Sequence, residues 1–206
     1  MKVLLVNGGP HEEGCTHTAL AEAAKALNEA GIATEEVWLG NKPIAGCIGC
    51  QACRETELCF RDDIVNEFIA KTDDADGFIF GSPVHFASAT GALTSFMDRV
   101  FYARMRRFWG KPAASVVCCR RGGATATFDQ INKYFTISNM PIVSSQYWNM
   151  VHGHNAEQAK EDLEGIQTMR VLGKNMAWLL KSIEAGKQAG IKPPEPETRI
   201  YTNFIR

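Results

Sequence analysis

The opening of the chain constrains the fold most. Lys2 to Asn7 (KVLLVN) is a continuous apolar run rich in Val and Leu, the pattern of a strand buried on both faces. A glycine-containing loop follows at once, Gly8 to Thr18 (GGPHEEGCTHT). Ala19 to Ala30 then has the Ala, Leu, Glu and Lys content of a helix, with Gly31 as its stop. Ile32 to Leu39 reads as a second strand, completing a βαβ unit.

The alternation continues along the chain. Asp62 and Asp63 precede a helical pattern with Ile64, Phe68 and Ile69 on one face, and an aspartate at a helix start is a capping signal. Gly77 to Phe80 predicts a third strand, ending in GSPVHF, Gly81 to Phe86. Thr90 to Arg107 predicts a long helix with Leu93, Phe96, Met97, Val100 and Phe101 as its buried stripe. Ala113 to Cys119 predicts a fourth strand running into Arg120–Gly123 (RRGG), and Thr125 to Phe135 a further helix. The fifth strand is expected within Pro141 to Trp148, a sheet-edge loop at Asn149 to His154, and a last long helix from Ala156 to Lys187. No domain boundary is visible, so residues 1–206 are expected to form one α/β domain, a doubly wound five-stranded parallel sheet with helices on both faces. Residues 187–206 form a C-terminal arm, polyproline-like (KPPEPE) and then aromatic (RIYTNFIR), expected to pack on its own domain or on a neighbouring subunit.

Two stretches carry chemistry. In CIGCQACRETELC the cysteines Cys47, Cys50, Cys53 and Cys59 are spaced C-x2-C-x2-C-x5-C, a metal or cluster spacing. An iron–sulfur cluster, zinc, and thiols that bind no metal all remain open on spacing alone. The first βα loop suits a phosphate. Backbone N–H groups at a helix N-terminus are unpaired and the dipole favours an anion, and Thr16 and Thr18 add hydroxyls. Gly9, Gly14, Cys15 and Thr16 imitate a nucleotide-binding P-loop, but Cys15 stands where the lysine is needed, which disfavours nucleoside triphosphate hydrolysis. A plain βα turn with Thr16 as N-cap is the competing reading.

Bulk properties narrow the classes. With 206 residues, 45% hydrophobic, the chain can bury a full core. A net charge of −1 leaves no basic field for nucleic acid, and the local run Arg104, Arg106, Arg107, Lys111 reads as a solvated helix face. No stretch reaches the roughly 20 apolar residues that cross a bilayer. The start lacks a signal-peptide pattern, so the expected compartment is the cytoplasm, where its 7 cysteines stay reduced.

These residues also carry a resemblance. GGPHEEGCTHT resembles the phosphate loop of the NAD(P)H-dependent FMN reductases, and GSPVHF resembles their SPVYF loop. GCIGCQACRETELCFRDDI resembles the compact cysteine motif of the iron–sulfur flavoproteins. The likeness runs to about Lys187. It implies a flavodoxin-like fold with strand order 2-1-3-4-5 and FMN at the strand one/three switch point. It also implies NAD(P)H as co-substrate, a [4Fe–4S] cluster in many members, and homodimers or homotetramers. By position, Gly9, Pro10, His11, Gly14, Cys15, Thr16 and Thr18 would hold the phosphate. Pro83, Val84, His85 and Phe86 would meet the ring on one side and Arg120, Gly122 and Gly123 on the other. Cys47, Cys50, Cys53 and Cys59 would ligate the cluster. No side chain need act as acid or base on the substrate. The implied activity is an FMN-dependent oxidoreductase serving a small-molecule or protein acceptor. A cluster-free flavin or quinone reductase and a non-enzymatic electron carrier are the alternatives. The pattern is broken where Gly9 replaces serine, His11 arginine, Cys15 asparagine and His85 tyrosine. A charge-assisted bond to phosphate contributes about 1.5–3 kcal/mol, so weakened FMN binding is expected.

Overall fold

A computed structural model describes residues 1–195, 197–198 and 200–202. The sheet consists of β1 (Lys2–Asn7), β2 (Ala33–Trp38), β3 (Gly77–Pro83), β4 (Ala113–Cys119) and β5 (Met150–His152). All pairings are parallel, in the order β2-β1-β3-β4-β5. The helices are α1 (Cys15–Glu29), α2 (Cys53–Thr56), α3 (Ile64–Lys71), α4 (Gly91–Arg104), α5 (Ala124–Ile137), α6 (Ala156–Glu161) and α7 (Leu163–Gln188).

The apolar strands are explained by the two faces they serve. Leu4 and Val6 of β1 join Phe78, Phe80 and Val117 in a core under α3, α4 and α5. Val3 and Leu5 join Ile79, Ala114 and Val116 in a second core under α1 and α7. A strand with period-two alternation between two buried faces has no polar side. The first core is built on phenylalanines: Phe68 meets Phe96 edge-on with centroids 5.1 Å apart, and Phe78 meets Phe108 at 5.0 Å. In the second, a Cβ at Gly173 of α7 would stand 2.5 Å from the Ala23 carbonyl of α1, so the two helices meet at backbone contact.

Several elements differ from the sequence reading. The helix after β1 begins at Cys15, not Ala19, and Gly14 is its N-cap in place of Thr16. β3 continues through Gly81, Ser82 and Pro83, which were read as loop. The fifth strand is not within Pro141 to Trp148. Only Ile142 bridges there, to Ala113, and the chain then leaves the sheet and returns at Met150–His152, a stretch read as loop. Ala113 and Val117 are four residues apart on β4, whereas their partners Ile142 and Met150 are eight apart. The excess is expelled as an edge excursion held by Ser145, whose hydroxyl donates to Tyr147 O at 2.6 Å. The last helix is broken at Asp162, whose carboxylate accepts from Gly165 N at 2.9 Å and so starts α7 afresh. The basic run is not uniformly solvated: Arg104 is buried, bonded to Glu57 at 2.9 Å and Asp73 at 2.8 Å. Within the arm, Ile200 and Tyr201 are exposed, while residues 196, 199 and 203–206 lie outside the described residues.

Candidate functional site

The site lies where the parallel strands end. The β1–α1 loop is set by Asn7, a fully buried residue closing β1. Its amide donates to Glu12 O and to Glu36 Oε1, each at 2.9 Å, and its Oδ1 accepts from Gly9 N at 3.0 Å. Trp38 of β2 donates to Gly9 O at 2.9 Å. The β3 side is tied to the same loop: Gly8 N donates to Gly81 O and Thr90 Oγ1 to Gly8 O, both at 2.9 Å. Six polar bonds thus fix a loop of little intrinsic order. Gly14, the N-cap of α1, offers no capping side chain, so the N–H groups of the first turn have no helical partner and the dipole favours an anion there. Thr16 is buried in that turn, whereas the Thr18 hydroxyl donates back to Gly14 O at 3.2 Å. Pro10 and His11 lie exposed on the loop, as do Glu12 and Glu13. The Cys15 thiol reaches the Gly153 carbonyl at 3.7 Å, and burial raises its pKa.

Loops after β3 and β4 complete the edge. Pro83 ends β3, and Val84 N donates to Cys118 O at 2.8 Å. His85 and Ser88 exchange backbone hydrogen bonds at 2.9 and 3.1 Å, closing a turn whose central residues Phe86 and Ala87 have φ of 53° and 57°. Two left-handed residues make this a turn of primed type, which costs non-glycine residues strain. Gln130 of α5 holds it by accepting from Ser88 Oγ and Ala89 N, both at 2.8 Å. The Phe86 ring is fully exposed at its tip. Gly123 has φ of 88°, and a Cβ on it would lie 2.8 Å from Ala87 Cα and 2.9 Å from Val84 Cγ1. Glycine there lets the β4 loop dock against the β3 turn. Space beside Gly122 is open, and Arg120 is exposed. The three loops are therefore one continuous rim with an uncapped helix start, a donor set that fits a phosphorylated planar ligand such as FMN.

The cysteine stretch leaves β2 and folds against α4. Gly49, Gln51 and Glu57 have φ of 65°, 65° and 56°, and these left-handed turns curl it so that Cys47, Cys50, Cys53 and Cys59 line one pocket. Among the described residues, no group of three His, Cys, Asp or Glu is placed to hold a single metal ion. The four cysteines of the lining offer a sulfur donor set, the kind that suits an iron–sulfur cluster. The pocket is also cationic. Arg99 Nε donates to Cys59 Sγ at 3.2 Å, and the Nε of Arg61, another lining residue, is buried without a partner among the described residues. Burial opposes the charge on Arg99, but its bonds to Asp63 and Cys59 outweigh that and raise its pKa. Asn66 grips the backbone of Cys59 from both sides, accepting from its N at 2.9 Å and donating to its O at 2.8 Å.

The residues named from the sequence lie on or beside the three loops at the sheet edge and, for the four cysteines, around one pocket. Sequence reasoning missed Asn7, Asn66, Gln130 and Arg99. Arg99 had a visible signal, since it lies three residues after Phe96 beside the apolar stripe of α4, where a cation is unexpected without a buried partner. Asn7, Asn66 and Gln130 carried none, because their partners are distant or local backbone groups that only folding brings into reach.

Residues 1–155 match the family model of the NADPH-dependent FMN reductases. The chain is 35% identical over 194 residues to an iron–sulfur flavoprotein of Methanocaldococcus jannaschii, covering 89% of this chain and 100% of the relative. It is 28% identical over 191 residues to the iron–sulfur flavoprotein of Methanosarcina thermophila, covering 91% and 99%. Among solved structures, RosB with its bound intermediate superposes with a TM-score of 0.70 at 15% identity, over 100% of this chain and 92% of that one. An archaeal flavodoxin gives 0.60 at 13%, over 88% and 99%. At such identities the structural likeness speaks for the fold. The chain therefore belongs to the NADPH-dependent FMN reductase family, among the flavodoxin-like flavin oxidoreductases related to the iron–sulfur flavoproteins.

Proposed function

We propose that this protein passes electrons from NAD(P)H or a protein donor, through FMN, to a small-molecule or protein acceptor, with a [4Fe–4S] cluster on Cys47, Cys50, Cys53 and Cys59 as the exit. The observation that carries the cluster is the convergence of all four thiols on one pocket with an arginine donating to one sulfur. Two relatives that align along nearly their whole length bear the name iron–sulfur flavoprotein.

FMN, when bound, supplies hydride acceptance and the release of electrons singly or in pairs. The chain's own residues bind and orient it. The first turn of α1 and buried Thr16 receive the phosphate, with Gly9, Pro10, His11, Gly14, Cys15 and Thr18 shaping the loop around it. Pro83, Val84, His85 and Phe86 bound the ring on one side, and Arg120, Gly122 and Gly123 on the other. Gly9 N is engaged by Asn7, and His11 takes the place of an arginine, so the phosphate depends chiefly on backbone donors and FMN exchanges readily. The exposed Phe86 tip fits closure by a second subunit, in a homodimer or homotetramer. No helix among the described residues is long and apolar enough to cross a membrane. We place the activity in the cytoplasm, where the thiols stay reduced, with no nucleic-acid partner. A cluster-free two-electron reductase is the second reading, supported by the match of residues 1–155 to the NADPH-dependent FMN reductase model.

The test is an absorption spectrum of protein purified without oxygen, with iron and sulfide assayed on the same sample. Flavin bands on a broad cluster absorbance, with about four irons per chain, are expected. Flavin bands without iron would establish the cluster-free reading. Protein that takes up no flavin when titrated with FMN would overturn both.

A further inference from the structure

The side chain of Arg99 is 1% exposed, and that of its partner Asp63 is 36% exposed. All five guanidinium N–H groups have partners. Nη1 donates to Ala45 O at 3.3 Å and Asp63 Oδ2 at 2.7 Å, and Nη2 donates to Arg61 O at 3.2 Å and Asp63 Oδ1 at 2.8 Å. The fifth, Nε–H, goes to Cys59 Sγ at 3.2 Å. Ala45 and Arg61 flank the two ends of the cysteine stretch, so one side chain of α4 joins both ends and touches a sulfur between them. A loop brace alone needs only the carbonyl bonds. The bond to sulfur and the bidentate carboxylate behind it form a line of charge, Asp63 to Arg99 to Cys59.

Resting on the cluster reading above, we propose that Arg99 is a positioning residue that sets the reduction potential of the cysteine-held centre, with Asp63 as the counter-charge that moderates it. Hydrogen bonds to ligand sulfur and nearby net charge are the protein's means of tuning such a centre. Reduction adds negative charge at the sulfurs. A fixed buried cation with a hydrogen bond to one of them stabilises the reduced form and raises the potential. Asp63, 2.7 Å from the guanidinium, offsets part of that cation's field. The two residues therefore act in opposite directions on the same quantity.

The experiment is redox titration of the full-length protein, with iron and sulfide content and thermal unfolding measured on each variant. Arg99→Gln is expected to shift the potential to more negative values and Arg99→Lys to shift it less, since lysine keeps the charge but not the planar fork. Asp63→Asn is expected to shift the potential to more positive values. Asparagine remains a good N-cap, so α3, which Asp63 caps through Val65 N at 3.0 Å, is retained. Opposite shifts at full iron content support the proposal, because loss of a mere brace would not change sign between the two sites. If Arg99→Gln loses its iron, Arg99→Lys and Asp63→Asn decide the matter. Iron-replete variants with unmoved potentials, or shifts of one sign at both sites, overturn the proposal and leave the cluster reading intact. Wild-type protein that holds no iron after anaerobic reconstitution overturns the cluster reading and the proposal with it.

Discussion

At the scale of single residues, the sheet edge depends on a few side chains whose partners are far away in sequence. Gly123 is the clearest case. Its φ of 88° is one that a side chain disfavours, and Ala87 Cα lies 2.8 Å from where its Cβ would stand. Alanine in a left-handed conformation costs about 1–2 kcal/mol, and the contact adds to that. Gly123→Ala is expected to lower stability by about 1–3 kcal/mol in urea unfolding and to weaken FMN binding by about tenfold, roughly 1.4 kcal/mol. Quenching of flavin fluorescence on titration reads the second effect. Unchanged affinity would mean that the β4 loop does not shape the ring site. The phosphate loop expected to bind FMN weakly is held by bonds made within the protein. The loop is well fixed, by Asn7, Trp38 and Thr90, but the groups fixing it are not donors to a phosphate.

At the scale of elements, β2 is the exposed edge of the sheet and is held by charge. Glu35 on β2 bonds Lys2 of β1, and Lys71 of α3 at 2.6 Å. The Lys2 bond first, and the Lys71 bond next, hold its carboxyl below the ordinary value of 4.5. A carboxylate with a lowered folded pKa contributes stability that is present above its unfolded pKa and lost as pH falls through the folded one. Protection of β2 amides in hydrogen exchange is therefore expected to hold from neutral pH down to the ordinary carboxyl value of 4.5 and to fall below it, beyond the global loss of stability. In Glu35→Gln that local component should be absent. Equal pH dependence of β2 protection in the two proteins would remove Glu35 from the account. The effect is small, because the pair is partly solvated. The broken final helix belongs to this scale too. Asp162 caps α7 and also accepts from His152 N at 2.6 Å, so the break couples α7 to the end of β5.

At the scale of the whole molecule, two cores lie on opposite faces of one sheet, and the strands belong to both. Phe80→Ala removes a ring that packs on Phe68, Phe101 and Phe135. It is expected to cost about 3–5 kcal/mol and to lower the midpoint of a single transition, because the strand carrying it also supplies Ile79 to the other core. Two resolved transitions in calorimetry would show that the faces unfold separately.

The sequence by itself determined the layer architecture. Val and Leu runs without a polar side demand strands covered on both faces, and strands alternating with helices demand parallel pairing. It also put the loops after β1, β3 and β4 at the carboxyl edge, though it counted Asn149–His154 among the edge loops where the structure has β5, and it showed that four cysteines fall on one short stretch. Only the tertiary structure decided where β5 pairs, since the run IVSSQYW carries the β pattern and yet leaves the sheet when the edge excursion expels it. Only the tertiary structure showed that α7 restarts at Asp162, because the residues on both sides of the break, AEQAKE and LEGIQTMR, have helix-forming composition. The buried cation beside Cys59 was likewise invisible as a partner of the cysteines. Arg99 and Cys59 are forty residues apart, and their contact exists only because α4 packs beneath the loop. Periodicity reports which side of an element is buried. It does not report which polar group another element brings to meet it.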